Sequence, residues 1–126
     1  MHEEPTGEAR PLTDRERLLL AAMIDCVDEP EANALRAQLE VAQARPGCPC
    51  GCGSIDVVLP AGRETRSART GAGVLVEGDV LDDRGKAVGG LLLFLADGML
   101  HDLEVWSVGN PLDLPGVDRT RLRAAI

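Results

Sequence analysis

The stretch AVGGLLLFLADGMLHDLEVWS, residues 87–107, decides the fold. Its first ten residues, AVGGLLLFLA, are apolar at both parities, so a strand formed from them needs cover on both faces. Such a strand at a sheet edge would invite aggregation, which makes 91–95 a central strand. Asp97-Gly98 is a tight-turn signal, and MLHDLEVWSVG continues as the returning strand. Alternation there puts Leu103 and Val105 on one face with Met99, and Asp102, Glu104 and Trp106 on the other. The same alternation sends His101 to the face opposite Asp102, so these neighbours do not make a catalytic pair.

Upstream, DDRG at 82–85 is a second turn signal, preceded by VLVEGDVL, where Val74, Val76 and Val80 alternate against Glu77 and Asp79. SIDVVL, 54–59, is a short strand closed by Pro60. Between these two strands runs a polar, glycine-bounded connection, AGRETRSARTGAG. The sheet therefore has roughly four antiparallel strands.

Before the sheet the period is helical. Thr13 and Glu16 have capping-box spacing, and Leu19, Met23 and Cys26 form a stripe with Leu20, Ile24 and Val27 beside it. Asp28 and Glu31 repeat the spacing, Pro30 falls in the first turn, and Pro46-Gly47 is the stop. Leu35, Leu39 and Ala42 mark the apolar side of this second helix; Glu31, Arg36, Gln38, Glu40 and Gln43 mark the wet side. The expectation is α+β: an N-terminal helical hairpin on one face of the sheet, with a dimer partner or the C-terminal segment covering the other. That last segment, NPLDLPGVDRTRLRAAI, is read as proline-punctuated with one or two helical turns capped by Asp118. Residues 1–11 are read as a loose, flexible tail and 12–126 as a single domain.

Composition narrows the function. A length of 126 residues, with 44% hydrophobic and 27% charged, suits one soluble globular domain. Phe94 and Trp106 are the only aromatic residues, so the core is aliphatic. A net charge of −8 repels phosphate backbones and anionic membranes, which disfavours nucleic acid and membrane as partners. With no apolar run of transmembrane length and no signal-like start, the expected location is cytoplasmic, where thiols stay reduced.

Three groups carry candidate chemistry. RPGCPCGCGS packs Cys48, Cys50 and Cys52 into one turn. Thiolates suit zinc, with Cys26 or His101 available to complete a set, and a Cys-Gly-Cys dithiol suits redox exchange. The plain alternative is a turn made by glycine and proline, with cysteines acting as small hydrophobes. No resident cofactor is expected beyond this possible zinc. Arg63, Arg66 and Arg69 form a basic loop able to hold an anion or simply to face water. Asp102, Glu104 and Trp106 combine carboxylates with a large apolar ring, as anchors of protein partners do. Glu77 and Asp79 join them if their strand is adjacent. Paired catalytic carboxylates, a nucleophile elbow, a phosphate loop and a zincin helix are all absent from the sequence, which argues against an enzyme.

PLTDRERLLL, CPCGCGSI and VEGDVLDDRGKAVGGLLLFLADGMLHDLEVWS, in that order, resemble a group of small bacterial proteins of actinobacterial type, over residues 11–115. The resemblance implies a helix-plus-sheet domain and no substrate. Two functions follow: a non-catalytic cytoplasmic module, regulatory or immunity-like, that binds a protein or a second copy through the acidic face; or a zinc or dithiol protein built on the cysteine cluster.

Overall fold

Thr13 and Glu16 close a reciprocal capping box at the start of helix α1, Asp14–Ile24. The Glu16 amide donates to Thr13 Oγ1 at 3.1 Å and the Thr13 amide to Glu16 Oε1 at 2.9 Å. This computed structural model describes residues 8–47, 53–60, 68 and 73–125. Arg10 adds a fork to the box, both guanidinium nitrogens lying 2.8 Å from the Glu16 carboxylate. That hydrogen bond, more than any other contact, holds Glu16 below the ordinary glutamate range, although burial works against it.

A carboxyl with a depressed folded pKa contributes stability above its unfolded pKa and loses it as pH falls through the folded value. Glu16→Gln should therefore cost about 1–3 kcal/mol at neutral pH and much less in acid. Urea unfolding of both proteins across the acid range measures this. A pH-independent difference would show that the pairing with Arg10 contributes nothing.

Arg10–Pro11 is itself a short strand, β1, at the end of the expected tail, whose residues 1–7 lie outside the described residues. Helix α2, Glu31–Val41, starts at Pro30 without a side-chain cap, so Asp28 is not the cap its spacing suggested. Glu29 serves the helix start instead, accepting from the Asn33 amide at 3.0 Å. The helix also ends early, with Ala42 extended and Gln43–Pro46 forming strand β2. Pro46 disfavours helical geometry at Arg45, and pairing of β2 with its neighbours outweighs the helical propensity of VAQA.

The remaining strands are β3 (Ile55–Val58), β4 (Gly73–Leu81), β5 (Ala87–Ala96), β6 (Met99–Ser107) and β7 (Thr120–Ala124). With β1 and β2 they give, among the described residues, one antiparallel sheet of seven strands in the order β1-β2-β3-β6-β5-β4-β7, where about four were expected. The fold is thus α+β, with β1, β2 and β7 additional to the strands legible by alternation. The expected C-terminal helical turns reduce to a 3-10 turn, Val117–Arg119, capped by Gly116 and running into β7. Strand β5 is central, paired on both sides. Asp97-Gly98 makes its turn into β6 with φ of 53° and 75°, the left-handed pair of a tight hairpin.

Both helices cover one face. Leu91, Leu93 and Leu95 of β5, Val76 and Val80 of β4, and Leu103 and Val105 of β6 share a buried cluster with Leu19, Leu20, Met23, Ile24, Leu35 and Leu39. Gln38, expected on the wet side of α2, is fully buried in this layer. Its amide donates to Gly98 O at 3.0 Å, and its carbonyl accepts from the Leu100 amide at 2.7 Å, bolting α2 to the β5-β6 turn. Leu114, in the segment before β7, lies on the helix side, where its carbonyl accepts from Arg15. Both helices lie on this side, and the coil residues Gly109 and Pro111 border the other face beside Trp106.

Candidate functional site on the open sheet face

Register builds the open face row by row. Arg45, Asp56, Asp102, Phe94 and Val74 are successive cross-strand partners from β2 to β4. Glu104, Leu92, Glu77 and Arg123 form the next row, and Trp106, Gly90, Asp79 and Arg121 the third. Leu92 and Phe94 are half-buried here, so the second apolar face of β5 is a strip bordered by charge.

Trp106 is 52% exposed and lies against Gly90. A Cβ at Gly90 would stand 2.4–2.5 Å from three indole atoms, so glycine is what lets the ring rest on the sheet. Trp106, Asp56, Asp102 and Glu104 line a cleft of about 470 Å³, with Ser54 and Gly47 at its rim. The cleft arises because β3 pairs with β6 only at Ile55 and Asp56. Beyond that point Ser54 Oγ takes over, accepting from the Val105 amide at 2.9 Å and donating to Val105 O at 3.3 Å.

His101 does not point away from Asp102 as alternation suggested. Phe94 pairs with Asp102 but Leu95 with Leu100, so His101 is the extra residue of a β-bulge. The bulge brings His101 Nδ1 to 2.9 Å from Asp102 Oδ1. It also resets the parity, placing Leu100 rather than Met99 in the core. A second bulge between Val74 and Val76 separates Val74, opposite Phe94, from buried Val76.

The carboxylates fall into two groups with β5 between them. On β4, Glu77 and Asp79 are neutralised from β7: Arg123 Nε lies 2.9 Å from Glu77, and Arg121 and Arg123 lie 3.7 and 3.5 Å from Asp79. They therefore do not join the cluster beside Trp106. On β6 and β3, no lysine or arginine among the described residues pairs with Asp56, Asp102 or Glu104. Partial burial, then the adjoining Asp102 carboxylate, pushes the Glu104 carboxyl up. The arrangement favours an incoming positive charge.

Cys48, Cys50 and Cys52, and Arg63, Arg66 and Arg69, lie outside the described residues. Cys26 follows α1, packs against the helix-side core and contacts Ala22 O through sulfur; burial, then Asp25, pushes its thiol up. His101 shares the open face with Asp102, so Cys26 and His101 do not complete one ligand set. Among the described residues, no group of three or more His, Cys, Asp or Glu side chains is placed to hold a metal ion, and no helix is long and apolar enough to cross a membrane. Sequence reasoning missed Asp56 and Gly90, whose places depend on register, and the His101 bulge, which strict alternation cannot show. Comparison of the chain with protein-family models, curated proteins and solved structures gave no significant match.

Proposed function

We propose that the protein is a non-catalytic binding module, regulatory or immunity-like and working in the cytoplasm, that docks a protein partner on its open sheet face. The observation carrying this reading is Trp106, a half-exposed indole seated on Gly90 near the end of β6, on the sheet face opposite the helices. Large rings with a polar rim are what interface anchors combine. Leu92 and Phe94 extend the apolar area, and the carboxylates of Asp56, Asp102 and Glu104, which no lysine or arginine among the described residues pairs, supply steering. A second copy is a poor occupant: a two-fold contact with its axis near Trp106 would bring the acidic cluster beside the ring close to the acidic cluster of the second copy. The partner is accordingly a different protein with a cationic surface.

Panning a random peptide library against the whole protein, with Trp106→Ala as counter-selection, tests the reading. Trp106→Ala should keep the fold within about 1 kcal/mol and speed dissociation of selected peptides at least tenfold. Glu104→Lys should slow association, most strongly at low salt. Peptides that bind both proteins equally, or a Trp106→Ala chain that unfolds, would overturn it.

A further inference from the structure

The geometry points to an arginine side chain of the partner as the group seated in the cleft between Trp106 and the carboxylates of Asp56, Asp102 and Glu104; this rests on the docking reading above. The open face carries both parts that a guanidinium uses. One is an exposed aromatic plane, on which a flat, weakly hydrated cation stacks. The other is a set of acceptors: Asp102 and Glu104 project from the same side of β6, and Asp56 lies across from Asp102.

The same sheet face shows the pairing already made once within the chain. On the far side of β5, Arg121 and Arg123 lie over Glu77 and Asp79, one guanidinium reaching both carboxylates. Beside Trp106, Arg45 stands opposite Asp56 in register, but no arginine among the described residues pairs with Asp56, Asp102 or Glu104. A lysine ammonium would satisfy the charge but is a compact, strongly hydrated ion that gains less from the indole. A neutral or anionic side chain would leave three carboxylates crowded and partly desolvated.

The test follows the Trp106 indole N–H by NMR while isotope-labelled full-length protein is titrated with the amidated pentapeptide acetyl-Gly-Gly-Arg-Gly-Gly. Lysine and citrulline versions run in parallel; citrulline keeps the shape of arginine and removes its charge. The arginine peptide should shift the indole resonance, with citrulline at least about tenfold weaker and lysine between them. Glu104→Gln should weaken the arginine peptide several-fold, whereas Asp83→Asn, in the β4-β5 turn, should leave it unchanged. Equal binding of citrulline and arginine, shifts centred away from Trp106, or no shift at all would overturn the inference. If library peptides depend on Trp106 but are indifferent to exchanging their arginines for citrulline, the docking reading stands and the arginine inference falls. If no peptide depends on Trp106, both fall.

Discussion

Gln38→Leu should cost the fold about 1–3 kcal/mol, because it leaves the buried Leu100 amide without its acceptor and removes one of the two donors to Gly98 O, which keeps the Ala68 amide. Leucine has nearly the same volume, so packing alone predicts a small effect; a larger one would come from the orphaned Leu100 amide. Gln38→Glu separates the two bonds. A carboxylate still accepts from Leu100 but cannot donate to Gly98 O, whereas the protonated acid does both. Burial would raise the folded pKa of that carboxyl above its unfolded value, so stability of the Glu variant should rise as pH falls through the folded value. Chemical denaturation at several pH values reads this directly. Gln38→Leu within about 0.5 kcal/mol of the native chain would mean that water replaces both bonds and that the bolt between α2 and the β5-β6 turn is unimportant.

Leu93→Ala should be at least as damaging, about 2–5 kcal/mol. Leu93 is fully buried under the helices, flanked in register by Val76 and Leu103, and its loss leaves a cavity that three paired strands cannot close. One residue away, Leu92→Ala should cost about 1 kcal/mol, because Leu92 is only half-buried on the uncovered face. Thermal and urea unfolding of the two variants at matched concentration makes the comparison. Equal losses would show that the open face is covered in solution, and a loss at Leu92 that deepens on dilution would identify the cover as a second copy.

Much of the core was legible because its signals are local. Thr13 and Glu16 announce a helix start through three residues of spacing, and Asp97-Gly98 announces a hairpin because few other pairs accept two left-handed residues. The continuous apolar run of β5 requires a central position whatever surrounds it. The missing elements are those whose cause lies far along the chain. Gln43–Pro46 has helix-like composition and becomes a strand only because β1 and β3 flank it. Thr120–Ala124 carries two arginines on a short segment, and its strand state depends on Glu77 and Asp79 waiting on β4. At the site, Asp102, Glu104 and Trp106 followed from alternation within one strand. Asp56 and Gly90 required knowing which strands are neighbours, and His101 required a bulge that no residue in MLHD advertises.

The pairing of β7 with β4 also closes an edge that is exposed in any partly folded chain. Until Thr120–Ala124 docks, β4 has a bare rim next to buried-type valines. An unfinished rim of this kind recruits strands from neighbouring chains. Glu77 and Asp79 stand on that rim and repel the same two carboxylates of a sister chain, guarding it during the interval. When the C-terminal strand arrives, Arg123 and Arg121 turn these guards into cross-strand pairs. The same residues thus protect the half-made sheet and then fasten its last strand.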